Sequence, residues 1–319
     1  MKRLIKVLPI ALSASVLFGC NEADKYRKAE GMIWNTLYHI TYQGPASLQD
    51  SILPVLNEVG ASLSVFDKNS LVSELNSNIS VKTDRHLNKV YDTSKDIFQK
   101  SEGNFDPTVS PLIDAWGFGL GHTPNADTLA IDSVLKFVGI DKTSRIGNEI
   151  IKDDIRTRFN FSAIAKGYGC DAVGEMFRRN GVENFMVEIG GELTLSGESP
   201  NHGKWRIAID APEEGNDPGA ETSMILELTD VGIATSGNYR NFREDNGVKR
   251  AHTISPKTGL PLQSEILSAT VIAKTCMEAD AIATACMAGT IDEAKSLIIS
   301  TGTTGYLITE SGVITVKSP

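Results

Sequence analysis

The sequence predicts an α+β fold, one large domain of mixed or antiparallel sheet with flanking helices. Segments with apolar residues at helical spacing crowd its first half, and short alternating segments crowd its second. No internal repeat or low-complexity linker divides its 319 residues, which suffice for a substantial core.

The elements follow in order. "GMIWNTLYHITYQG" alternates and is rich in aromatic and β-branched residues, so it reads as a strand. "SLQDSILPVLNEVGASLS" and "HLNKVYDTSKDIFQKSEG" carry helical spacing, the second stopping at Gly103. "ADTLAIDSVLKFVG" is a third helix, ending on Gly139. "IRTRFNFSA" alternates again and runs into a helix, "AKGYGCDAVGEMFRRNG", closed by Asn180 and Gly181. Short strands then come in series: "NFMVEIG", "ELTLSG", "KWRIAID", "MILELTD", "VGIATSG", "RAHTIS" and "ILSATVIA". A helix over "EADAIATACMAGT", the segment "IDEAKSLIIS" and the closing strands "GYLIT" and "GVITVK" complete the chain.

The N-terminus stands apart. Lys2, Arg3 and Lys6 precede the apolar run "VLPIALSASVLF", which is too short for a spanning helix. Leu17-Phe18-Gly19-Cys20 then has the form of a lipobox. The organisation expected is a lipoprotein signal peptide over 1–19, a tether over 20–31 starting at a lipidated Cys20, and one domain over 32–319. An ordinary signal peptide that happens to end near a cysteine is the plainer alternative. Losing three cations takes the net charge from −9 to −12. That balance argues against nucleic acid and against a polybasic membrane patch, leaving the lipid as the anchor. The expected location is the bacterial cell envelope, facing the periplasm.

Cys170, Cys276 and Cys286 remain, an odd number that cannot pair completely within one chain. Cys276 and Cys286 lie about 15 Å apart on a continuous helix, beyond disulfide reach. Three buried thiols are the simplest reading, and the absence of a Cys-x-x-Cys or His–Cys cluster argues against zinc.

Four stretches carry candidate chemistry. On a helix, Asp280 and Thr284 share one face about 6 Å apart, and surrounding alanines leave room for close approach. Two hard oxygen donors suit Mg²⁺. A first-turn carboxylate favouring the helix dipole, beside a core hydroxyl, explains the same pattern. Lys166 stands at a strand-to-helix turn with Gly167 and Gly169, where free N–H groups favour anions. An exposed lysine at a helix start fits equally, and the glycine spacing is not that of a Walker A loop. "GNFDPTVSPLIDAWGFG" is either a ring-binding loop or a surface loop packed by its own aromatics. Finally, Thr235, Ser236 and Gly237 form a small polar turn. His252 follows as either a structural histidine or a general base.

Taken in order, these stretches resemble the FAD:protein FMN transferase (ApbE) family. The matching motifs are "SAIAKGYGCD", "EIGGE", "IATSGNY", "HTISPKTG" and "ADAIATA", with "FDPTVSPL" and "WGFG" alongside. "WNTLYHI" and "SVFDKNSLVSELN" correspond more loosely. The resemblance spans nearly the whole mature chain and implies a single ApbE-like catalytic domain. It implies Mg²⁺-dependent transfer of FMN from FAD to a threonine of an exported or membrane flavoprotein, with release of AMP. A subunit of a respiratory ion-pumping complex is the kind of acceptor implied. Asp280 and Thr284 match the family's metal ligands, with the carbonyls of Ala163 and Ala283 completing the set. Flavin contacts carry over to Trp34, Phe66, Phe105, Asp106, Pro107, Asn160, Lys166, Ser236, Gly237 and Ile254. His252 matches the base that deprotonates the acceptor. The chain departs from the family at Asn160, usually Asp, at Glu192, where Gly-Gly-Asp is usual, at Ser255, which precedes Pro256 in place of Asp, and at Trp34, commonly Met. Two alternatives accompany this reading: an FAD pyrophosphatase releasing free FMN, and a lipid-anchored flavin-binding protein without turnover.

Overall fold

A computed structural model describes residues 25–117, 128–210, 222–237, 242–245, 248–251, 254–262 and 264–318. In chain order its strands are β1 (Tyr26–Ile33), β2 (Thr36–Gln43), β3 (Thr143–Ile146), β4 (Glu149–Lys152), β5 (Phe185–Ile189), β6 (Glu192–Ser196) and β7 (Trp205–Asp210). After these come β8 (Thr222–Leu228), β9 (Gly232–Gly237), β10 (Phe242–Asp245), β11 (Val248–Ala251), β12 (Ile266–Ala273), β13 (Thr304–Thr309) and β14 (Gly312–Lys317). The helices are α1 (Gln49–Leu63), α2 (Leu71–Asn76), α3 (Arg85–Lys100), α4 (Ser110–Ala115), α5 (Thr128–Leu135), α6 (Ala165–Arg179), α7 (Cys276–Met287) and α8 (Ile291–Ser300).

The α+β expectation holds, and the sheet is antiparallel. Eight strands pair in the order β1-β2-β5-β6-β9-β12-β13-β14, and three two-stranded ribbons, β3–β4, β7–β8 and β10–β11, stand outside it. Successive side chains of a strand point to opposite faces. On one face Thr194 and Ala234 meet α6 and α7. On the other, Leu195 and Ile233 pack with Trp205, Ile207 and Ile209 of the β7–β8 ribbon.

Several expectations change. Thr235, Ser236 and Gly237 are the last residues of β9, paired with β12, rather than a turn. The first strand is a hairpin, because Trp34 and Asn35 both take positive φ, 49° and 61°, as a tight two-residue turn requires. Its first arm starts at Tyr26, within the span expected to be tether. "IRTRFNFSA" is not a strand: Arg158 alone bridges to Val109. The Asn76 side chain pairs both backbone groups of Phe159, at 2.8 and 2.7 Å. The alternation there reflects two core anchors, Phe159 and Phe161, stacked 5.6 Å apart. The three cysteines are free and buried, as expected. The signal peptide, Cys20 and the start of the tether lie outside the described residues.

Helix α7 is held against α6 and β9 by backbone contact. Asp171, on α6, accepts hydrogen bonds from the first two N–H groups of α7, Cys276 at 3.0 Å and Met277 at 2.8 Å, and from the Thr194 hydroxyl at 2.8 Å. These are orphan helix donors that nothing within α7 can satisfy. Two glycines let the backbones meet. A Cβ at Gly167 lies 2.4 Å from the Cys276 carbonyl oxygen, and one at Gly232 lies 2.0 Å from the Cys276 nitrogen. Gly167→Ala and Gly232→Ala are therefore expected to lower unfolding free energy by about 1–3 kcal/mol. Gly203→Ala, whose Cβ meets nothing within 4 Å, serves as the unaffected control in urea denaturation.

Candidate active site

The helix ends, the tip of β9 and two loops enclose a cleft of about 590 Å³. Lys166 enters it from the first turn of α6, where the preceding Asn160–Ile164 segment folds back on itself. The Asn160 side chain accepts the Ser162 N–H at 2.9 Å, and Ile164 donates to the Phe161 carbonyl at 3.0 Å. Asp280 enters from the second turn of α7, and Thr284 follows one turn later. Glu278, not Asp280, is the acid of the α7 first turn, so the dipole explanation for Asp280 fails. The Asp280 carboxylate takes the Gly167 N–H at 3.0 Å, tying α7 to the helix that carries Lys166. Ser236, at the end of β9, shares a 3.2 Å hydrogen bond with the Thr284 hydroxyl.

The cleft concentrates charge under burial. Lys166 forms an ion pair with Glu192, which is almost fully buried. Glu192 Oε2 has no hydrogen-bond partner among the described residues. Burial raises the Asp280 pKa, opposed by Lys166 and the Gly167 N–H. It also raises Glu192, where Lys166 opposes the shift and Asp280 adds to it. For Lys166, burial alone would lower the value, but Asp280 and Glu192 together hold it above normal. One cation thus serves two carboxylates that disfavour each other's ionisation.

The expected residues converge. Phe66, Phe105, Asp106, Pro107, Asn160, Ala163, Lys166, Ser236, Gly237, Ile254, Asp280 and Thr284 all line this cleft. Trp34 lines a smaller, adjoining cavity of about 230 Å³ with Phe66, Ser162 and Lys166. Its indole rests where Gly60 and Gly169 lack side chains. Ala283 is fully buried in the core. Asp106 lines the cleft, yet its carboxylate binds the loop itself. It accepts the Thr108 N–H at 2.8 Å, the Thr108 hydroxyl at 2.7 Å and the Ile140 N–H at 3.3 Å. Burial nevertheless pushes Asp106 up to about 6. His252 lies outside the described residues.

Two residues emerge from the structure. Glu192 figures in the sequence only as a departure within "EIGGE", whereas its ion pair places it at the centre. Asp171 gives no periodic signal beyond a lone acid on an otherwise apolar helix stretch, and its role depends on where α7 begins.

Residues 34–307 match the ApbE family. An FAD:protein FMN transferase of Vibrio cholerae is 36% identical over 292 residues, covering 87% of this chain and 86% of that protein. Another from Haemophilus influenzae is 32% identical over 338 residues, covering 100% and 97%. Among solved structures, the flavin transferase ApbE from Vibrio cholerae superposes with a TM-score of 0.81 at 32% identity, covering 92% of this chain and 97% of that one. The ApbE protein of Thermotoga maritima, at 23% identity, shares the fold with a TM-score of 0.80.

Removing the shared cation has a pH-dependent cost. Lys166→Met is expected to destabilise the chain by about 2 kcal/mol, below the range for a fully buried pair because the lysine is partly exposed. Without Lys166, Asp280 and Glu192 bind protons more tightly when folded than when unfolded. Burial already raises both carboxylates with Lys166 present, Glu192 to about 8, so the extra loss should be small near pH 6 and grow as pH rises through 8 toward 9. Chemical denaturation across that range tests it.

Proposed function

The chain belongs to the ApbE family, and from that premise we propose that it is an FAD:protein FMN transferase anchored by a lipid on Cys20 at the periplasmic face of the envelope. The acceptor is a threonine of an exported or membrane flavoprotein. One observation carries the reading: motifs from four separate parts of the sequence line a single cleft, with a lysine, a buried carboxylate and a helix-spaced hydroxyl at its centre. The volume of that cleft lies within the range of nucleotide-sized ligand sites.

The residues present fit Mg²⁺. Asp280 and Thr284 offer hard oxygens one helical turn apart, and the nearby Glu192 retains an unpartnered carboxylate oxygen. Asp280 and Thr284 would hold the ion, with the carbonyls of Ala163 and Ala283. When bound, Mg²⁺ would neutralise charge on the pyrophosphate oxygens. Lys166 supplies a second, fixed cation there, which is the main help a phosphoryl displacement needs. Ser236 orients the Thr284 hydroxyl through their hydrogen bond. Asp106 holds the 105–107 loop against the cleft by binding Thr108 and Ile140. His252, assigned by resemblance, takes the proton from the acceptor threonine.

Mature protein, FAD and Mg²⁺, incubated with a pool of threonine-centred dodecapeptides and read by mass spectrometry, test this reading. An FMN-sized mass gain, absent in Asp280→Ala, is expected. AMP and free FMN without that gain would identify a pyrophosphatase, and no AMP at all would leave a flavin-binding protein. His252→Ala should lose transfer by roughly 10²–10⁴-fold while FAD binding stays nearly unchanged. Equal loss of both would make the histidine structural.

A further inference from the structure

A second cavity meets the flavin cleft at Lys166. It measures about 450 Å³ and lies between β6, β9 and the β7–β8 ribbon. Lys166, Glu192, Thr235 and Gly237 line both cavities. The strand pairing explains the space. Strands β6 and β9 pair at Leu193↔Ile233 and Thr194↔Gly232, and Leu195 N–H continues the contact to the Val231 carbonyl at 2.9 Å. Beyond Ile233 the edge of β9 facing β6 has no strand partner among the described residues, although its far edge pairs with β12 as far as Gly237. Among the described residues strand β7 pairs only with β8, and Arg206–Ile209 border the same space. The β5–β6 turn contributes Gly190 and Gly191, which add no side chains.

We propose that this groove admits the acceptor, an extended polypeptide segment lying along the free strand edges with its threonine directed at Lys166. The inference rests on the transferase reading above. A free strand edge presents unpaired N–H and C=O groups, the standard template for an added extended segment. FAD must already fill its own cleft when the nucleophile arrives, so the threonine needs a separate route to the phosphate end. In-line displacement also places the nucleophile opposite the leaving group. The cavity at Trp34 reaches Lys166 too, but α1 and the 64–66 loop wall it and it offers no strand edge. In the step, the threonine oxygen bonds to the FMN phosphorus as the pyrophosphate P–O bond breaks. The electron pair leaves with AMP, and the hydroxyl proton passes to the base assigned above.

Ala208 is exposed on β7, opposite Ile225, and does not line the flavin cleft. Ala208→Trp is expected to cut transfer to the labelled dodecapeptide about tenfold or more, chiefly through KM for the peptide. FAD affinity and acceptor-free AMP release should stay within about twofold. Transfer within twofold of wild type would overturn the groove. A second measurement needs no variant: with FAD already bound and Mg²⁺ withheld, adding peptide to the wild-type protein should slow hydrogen exchange of amides in 206–209. Unchanged exchange there would also overturn it. A wild-type protein that releases AMP but labels no peptide sinks the transferase reading and the groove together, whereas intact transfer by Ala208→Trp sinks the groove alone.

Discussion

Helices α6 and α7 meet at glycine distance, and the chemistry of the cleft depends on that meeting. Gly167 lets the first turn of α6 press on the Cys276 carbonyl, and its N–H reaches the Asp280 carboxylate at 3.0 Å. Asp171, one turn further along α6, closes the start of α7. Lys166 and Asp280 are therefore positioned by backbone contacts rather than by long, adaptable side chains. Electrostatic help to a phosphoryl displacement comes from such pre-set positions, because nothing then has to reorganise as charge develops.

Burial sets the strength of these charges. Asp280 and Glu192 are both nearly excluded from water, and burial raises both pKa values; Asp280 adds to the shift of Glu192, and Lys166 opposes both. Two carboxylates and one lysine leave an excess of negative charge. A divalent cation suits that excess, and an unpartnered oxygen on Glu192 points the same way. Glu192 is the acid that pairs with Lys166, while Asp280 reaches the Gly167 N–H.

Strand β9 divides the site in two. Its alternation sends Ala234 and Ser236 toward the helices while Ile233 packs against the ribbon, and Thr235 and Gly237 line both cavities. The strand ends at the seam, so Ser236 borders only the larger cleft and Ile233 only the smaller one.

Much of this was legible in the chain. Helical spacing identified α1 and α3, an Asn-Gly stop and helix-forming composition marked α6 and α7, and alternation identified most of the central strands, because such local signals need no distant contact. The motifs also named nearly every cleft residue. Other features depended on contacts distant in sequence. The turn at Trp34–Asn35 split an alternating run into two strands. Phe159 and Phe161 alternate without a strand because Asn76, 83 residues away, pairs the backbone. Glu192 became a partner of Lys166, and Asp171 the cap of α7, only once α6, β6 and α7 were packed together. The sequence by itself determined most of the elements and most of the residues that meet in the cleft. The tertiary structure decided which charges share a low-dielectric space and which strand edges stay open, since both depend on distances between segments that no local pattern encodes.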